Sequence, residues 1–225
     1  MKSPLNKSIE RDAVITRFGF GFCLFTAPLM HGVRRNKKRR KVMKTLVVLA
    51  HPSIDEKSVA NKIIVERIRP VENVTIKNLY REYPSFRFDV NAEQNALRAA
   101  ESIIFQYPFY WYSVPGILKE WLDQVFTYGF AYGSTGDKLK GKQFLVSTTI
   151  GGPEDAYREG GYNNYTIDEL LKPLRQTANL SGMQFNTPII SHNMIYIPNV
   201  YNKKDEVEQR AREHAEKLYN YIMQS

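Results

Sequence analysis

Residues 44–50 read Lys-Thr-Leu-Val-Val-Leu-Ala, an apolar run unbroken after Thr45. A strand with one wet face alternates apolar and polar residues. An unbroken run predicts a strand covered on both faces, the environment of a parallel sheet between helical layers. The rest of the chain keeps the rhythm this requires. A helix is predicted over about 58–68, stopped near Pro70, then a strand at 73–79, a helix at 91–101 and a strand at 102–107. A helix at 116–126 and a strand at 142–149 follow, then a helix at 166–181, a fifth strand within 188–196 and a charged amphipathic helix at 203–223. Alternating strands and helices imply a doubly wound α/β domain over 43–225, a five-stranded parallel sheet of order 2-1-3-4-5 with helices on both faces. In that order strands 1, 3 and 4 adjoin. The loops 51–61, 107–115 and 148–164 are therefore expected at one edge, where open α/β sheets bind ligands.

The richest stretch is 106–126. An aromatic cluster, Phe109, Tyr110, Trp111 and Tyr112, follows the third strand. From Gly116 the pattern becomes helical: Ile117, Leu118, Trp121, Leu122, Val125 and Phe126 share one face, and Lys119, Glu120, Asp123 and Gln124 take the other. Pro115 suits a first helical turn, and Ser113 is expected to cap it. The aromatics serve either as a ledge for a flat ring or as packing in a core or subunit contact.

Two further loops carry candidate chemistry. At 51–61 the chain enters a helix whose first N–H groups attract phosphate, with Ser58 adding a hydroxyl and His51 a ring N–H. The alternative is a plain capped helix, with Ser58 as cap and His51 filling the turn. Neither G-x-G-x-x-G nor G-x-x-x-x-G-K-[ST] occurs there. At Thr148, Thr149, Ile150, Gly151 and Gly152 two glycines allow close backbone approach to a planar ligand, and free N–H groups there can hold an oxyanion. Tyr157 and Tyr162 lie beyond; each is either a phenol donor to developing negative charge or a surface residue. The four histidines (His31, His51, His192, His214) lack ligand spacing, no G-x-S-x-G elbow occurs, and no cysteine follows Met43.

The formal charge of +9 suggests a nucleic-acid or membrane partner until it is located. Residues 1–42 hold 11 of the 32 basic residues and 2 of the 23 acidic ones, so the remaining 183 residues are electrically balanced. Nucleic-acid binding loses its main support once 1–42 is set aside. The apolar stretch 18–33 is shorter than the ~18 residues of a membrane span. Its basic run follows it, whereas a signal peptide puts charge first. The natural start is expected at Met43, with 1–42 a basic extension outside the fold. The one cysteine, Cys23, lies in that extension, and a chain without cysteine suits a reducing cytoplasm.

Taken together these residues resemble the flavodoxin-like NAD(P)H:quinone oxidoreductase family. The bacterial branch of general stress protein 14-type enzymes and potassium-efflux ancillary oxidoreductases is the most similar. The resemblance spans 43–225. It rests on Gln-Tyr-Pro-Phe-Tyr-Trp-Tyr-Ser-Val-Pro at 106–115 with Leu-Lys-Glu-Trp-Leu-Asp at 118–123. His51-Pro52, Ser58 to Asn61, Tyr-Gly-Phe-Ala-Tyr-Gly at 128–133, Leu-Lys-Gly-Lys at 139–142 and Thr-Thr-Ile-Gly-Gly-Pro at 148–153 support it. It implies a bound flavin, FMN in the bacterial branch and FAD in the mammalian one. It also implies a homodimer that passes a hydride from NADH or NADPH through flavin to a quinone in ping-pong fashion. By resemblance, His51, Ser58, Val59, Ala60 and Asn61 hold the phosphate end. Pro108, Phe109, Tyr110 and Trp111, with Thr148, Thr149, Ile150, Gly151 and Gly152, hold the ring. Tyr157 matches the active-site tyrosine. Mammalian members carry a histidine six residues later, where this chain has Asn163, so Tyr157 is expected to act alone or with Tyr162. A regulatory subunit engaging a potassium efflux channel is the alternative. A flavodoxin-type electron carrier is disfavoured by the zero net charge, since carriers are usually strongly acidic.

Overall fold

The computed structural model describes residues 43–224; the expectation of a basic extension at 1–42 lies outside them. The order is β1 (Thr45–Leu49), α1 (Ala60–Ile68), β2 (Val74–Asn78), α2 (Leu79–Glu82), α3 (Val90–Ala99), β3 (Ser102–Pro108) and α4 (Gly116–Val125). Next come β4 (Gln143–Thr149), α5 (Ile167–Leu170), α6 (Lys172–Leu180), β5 (Gln184–Phe185), β6 (Ile189–Ser191) and α7 (Lys204–Gln224). The sheet is parallel with order β2-β1-β3-β4-β5, and β6 also pairs with β4. Register places Leu49 beside Gln106, Gln106 beside Ser147 and Pro108 beside Thr149, so β1, β3 and β4 end at a common edge.

Both faces of the sheet are buried, as the unbroken apolar run demands. Leu46 and Val48 face one layer with Phe105, Phe144, Leu118 and Trp121. Val47, with Ile104 and Leu145 of the neighbouring strands, faces the other, where Ile64 and Ile68 of α1 and Leu218 and Ile222 of α7 cover it. Removing each such side chain from water contributes about 1.5–3 kcal/mol. Phe105 adds edge-to-face contacts with Trp121 (centroids 5.8 Å apart) and Phe144 (4.8 Å).

Four local expectations are corrected. The fifth sheet position is two short strands rather than one within 188–196. Both pair with β4, and Pro188, which lacks an N–H, lies between them. The helix expected over 166–181 divides at Leu171 into α5 and α6, because Pro173 cannot donate back and its ring crowds the carbonyl four residues earlier. Ser113 does not cap α4. Pro115 is the N-cap residue with extended ψ of 145°, which leaves Ser113 too far from the helix's free amides; its own N–H donates to Tyr110 O at 3.0 Å. Helix α1 begins at Ala60, two residues late. No helix among the described residues is long and apolar enough to cross a membrane.

Candidate functional site

Beyond the shared edge of β1, β3 and β4 lies a cleft of about 490 Å³. The three loops that sequence placed there do converge. His51, Ser58, Val59, Ala60 and Asn61 line it from the first, Pro108, Phe109 and Tyr110 from the second, and Thr149 and Gly151 from the third. A fourth segment, Met194 to Ile197, closes one side. Its first three residues fall within the span 188–196 expected to hold a strand, and nothing in the sequence marks the segment as a site.

The first loop is a donor array. His51 is buried, and its Nδ1 accepts the Ser53 N–H at 3.1 Å. Burial pushes its pKa down to about 4, so the ring is neutral at pH 7 with its proton on Nε2. Ser58 Oγ accepts the Asn61 N–H at 3.0 Å and so caps the first turn of α1. Among the described residues the amides of Ser58, Val59 and Ala60 find no hydrogen-bond acceptor. Three unsatisfied N–H groups at a helix start, with Lys57 on the same wall, form a cradle for an anion.

The aromatic loop divides its labour. Phe109 extends the sheet by donating to Thr149 O at 2.9 Å and buries its ring in the core. Tyr110 lines the cleft half exposed. Trp111 and Tyr112 follow in the left-handed region, at φ of 46° and 63°, which costs bulky L-residues of order 1–3 kcal/mol each. The Trp111 side chain is 91% exposed and stands outside the cleft lining. In α4, the helix into which the loop leads, Trp121 Nε1 donates to Glu93 Oε2 at 3.0 Å. Glu93 is fully buried, accepts from Tyr83 OH at 2.6 Å and pairs with Lys77. A buried carboxylate anchors that helix, and its sequence position on an ordinary helix gave no sign of it.

In the third loop strand alternation separates the two threonines. Thr149 faces the cleft, whereas Thr148 is fully buried and donates to Tyr107 O at 2.9 Å. Ile150 is also fully buried, and its N–H is used on Ser191 O at 2.8 Å. The Gly151 and Gly152 amides have no acceptor among the described residues. A Cβ on Gly152 would lie 3.4 Å from the ring of Tyr157. Neither Gly152 nor Tyr157 lines the cleft itself: Tyr157 lines a neighbouring cavity with His192, its ring centroid 6.4 Å from that of the cleft residue Phe109 and 5.5 Å from that of His192. Burial raises the Tyr157 pKa, keeping the phenol a neutral donor. Tyr162 is 91% exposed and is not brought into the cleft. Asn163 accepts from Tyr112 OH at 3.1 Å, tying this loop to the aromatic one. His192, one of the scattered histidines of the sequence, directly follows β6, much as His51 comes two residues after β1.

The cleft offers an anion cradle at one end, an aromatic and glycine wall at the other, and amides free along both. That donor set fits a planar ring carrying a phosphate tail. Among the described residues no cluster of His, Cys, Asp or Glu is arranged to hold a metal ion.

Comparison with known proteins agrees. An NAD(P)H oxidoreductase of Bacillus subtilis, YrkL, is 41% identical over 180 residues, covering 80% of this chain and 98% of its own. The glutathione-regulated potassium-efflux system ancillary protein KefG of Serratia proteamaculans is 44% identical over 147 residues, 65% of this chain and 80% of its own. A crystal structure of general stress protein 14 from Treponema denticola in complex with FMN superposes with a TM-score of 0.70 at 35% identity, covering 79% of this chain and 98% of that one. The profile of the flavodoxin-like fold family matches residues 43–218, and the chain belongs to that family.

Proposed function

We propose that the protein is an FMN-dependent NAD(P)H oxidoreductase whose acceptor is a quinone or similar planar molecule. The observation that carries this reading is the convergence on one cleft of the free Ser58, Val59 and Ala60 amides, the His51 Nε2 donor and the glycine amides beside the aromatic wall. Bound FMN would supply two-electron exchange, taking a hydride from the nicotinamide and delivering it to the acceptor in alternating half-reactions. The protein's own residues do the rest. The α1 amides and His51 hold the phosphate, and Asn61 stations Thr149 at the cleft wall. The Gly151 and Gly152 amides stabilise negative charge that develops on the ring. Tyr157, neutral and beside Gly152, donates to the acceptor oxygen. The strained, exposed aromatics Trp111 and Tyr112 suit a homodimer that completes the substrate side of the cleft.

The test is direct. Purified protein is expected to release FMN, identified by mass and absorbance, and to oxidise NADH or NADPH in the presence of a benzoquinone. Protein that takes up no flavin and shows no such turnover would sink the proposal.

A second reading, a flavin-binding ancillary subunit of a potassium efflux system, draws on the likeness to KefG. Co-purification with a glutathione-gated potassium channel supports it; an intact reductase that never associates with one does not.

A further inference from the structure

Behind the cleft wall runs a chain of buried side chains that the proposed chemistry does not use. His214 of α7 is fully buried, and its ring bridges two hydroxyls, Ser191 Oγ at 2.9 Å from Nδ1 and Ser147 Oγ at 2.8 Å from Nε2. Ser147 Oγ lies 2.6 Å from Gln106 Oε1, Gln106 Nε2 lies 2.8 Å from Asn61 Oδ1, and Asn61 Nδ2 lies 2.9 Å from Thr149 Oγ1. Four hydrogen bonds thus connect the C-terminal helix to Thr149 in the cleft, and a fifth holds His214 to Ser191. Ser147, Gln106 and His214 are fully buried, and Asn61 and Thr149 nearly so.

The two amides of such a chain run one of two ways, because each has one donor end and one acceptor end; where Ser147 spends its single hydrogen on Gln106, His214 must donate to Ser147 through Nε2–H. In one, Ser191 donates to His214 Nδ1 and His214 Nε2–H donates to Ser147. Ser147 then donates to Gln106 Oε1, Gln106 to Asn61 Oδ1, and Asn61 to Thr149. Thr149 accepts, and its own hydrogen remains for the cleft. In the other, every donor is reversed, and the Thr149 hydrogen is consumed by Asn61. The amide orientations are those of the first.

We infer that this chain, set at His214, fixes the Thr149 hydroxyl as a hydrogen-bond donor to the ligand in the cleft. His214 is a positioning residue acting through Ser147, Gln106 and Asn61. Burial holds its pKa down to about 3, with the Lys217 charge adding to the effect, so the ring stays neutral, and the Nε2–H tautomer is the one this direction requires. The ligand must offer an acceptor atom opposite Thr149. That requirement rests on the FMN reading; the polarity does not.

The test reads the tautomer first. In full-length, flavin-free protein labelled with ¹⁵N-histidine, the His214 resonances are assigned by substituting the other three histidines singly. His214 is expected to carry its proton on Nε2 from pH 6 to 8. A proton on Nδ1 would overturn the inference. FMN titration of the apoprotein, followed by flavin fluorescence, gives the second readout. Thr149→Ser is expected to bind as the parent does, and Thr149→Val about fivefold more weakly, the worth of one hydrogen bond. Equal binding by Thr149→Val would also overturn it. If the parent protein itself takes up no FMN, the flavin reading fails, while a proton on Nδ1 would still overturn the chain's polarity.

Discussion

Asn61 and Thr149, 88 positions apart, share a 2.9 Å hydrogen bond from amide Nδ2 to hydroxyl Oγ1. It joins the start of α1 to the end of β4, the first loop of the cleft to the third. Asn61 also accepts from Gln106, so one side chain of α1 braces both β3 and β4. Asn61→Ala strands the buried Gln106 amide. It is expected to cost about 2 kcal/mol by urea denaturation of the apoprotein, the usual penalty for an orphaned buried donor. An unchanged midpoint would mean that the network is not holding the strands together.

Glu93 is the matching prediction on the opposite layer. Removing it leaves Trp121 Nε1 and Tyr83 OH without their acceptor and strips Lys77 of its fully buried partner. Glu93→Ala is expected to destabilise by about 3 kcal/mol. It should also weaken FMN binding, because Trp121 belongs to α4, the helix into which the aromatic loop leads. Loss of stability without loss of FMN affinity would separate the anchor from the site.

Acid should weaken the fold through its buried histidines. His51 and His214 hold folded pKa values of about 4 and about 3, both depressed from 6.5 by burial. Below pH 6.5 the unfolded chain takes up protons that the folded protein refuses, so stability falls as pH drops from 6.5 toward 4 and below. The slope of urea midpoint against pH over that range should be shallower in His51→Gln. A slope unchanged by that substitution would show that His51 titrates normally.

The exposed indole of Trp111 is expected to be the residue that a second copy covers. Trp111→Asp should shift sedimentation velocity from dimer to monomer while leaving the circular dichroism spectrum unchanged. A parent protein that sediments as a monomer would remove the basis for the proposed dimer.

Tyr157→Phe keeps the ring against Gly152 and removes only the hydroxyl. Turnover with a benzoquinone is expected to drop about tenfold in kcat, the worth of one transition-state hydrogen bond. Tyr162→Phe should leave kcat unchanged, since its side chain lies out in solvent. Equal losses in the two variants would assign the proton chemistry differently.

The local pattern of residues was enough for the sheet, its strand order and the edge where the three loops meet. Burial on both faces writes itself into a strand as an unbroken apolar run, and each helix shows its period. His51, Ser58, Phe109, Tyr110, Thr149 and Gly151 stood out at strand ends and turns, signals that lie close together in sequence; Asn61 and Pro108 came with the family resemblance, and all of them line one cleft. Breaks in that pattern were harder to read: the interruption at Pro173 and the split beside Pro188 depend on which amides the chain must satisfy in place.

The three-dimensional fold alone decided the partners. Nothing near Glu93 in sequence points to Trp121, nothing near His214 points to Thr149, and nothing in the sequence marks Met194 to Ile197 as the segment that closes the cleft. Such pairings join residues tens of positions apart. Their physics is that of buried polar groups, which must find donors and acceptors wherever packing places them. Thr148 shows the same division from the other side. Its neighbourhood marked it for the cleft, but a strand alternates its side chains, and register gave the cleft to Thr149.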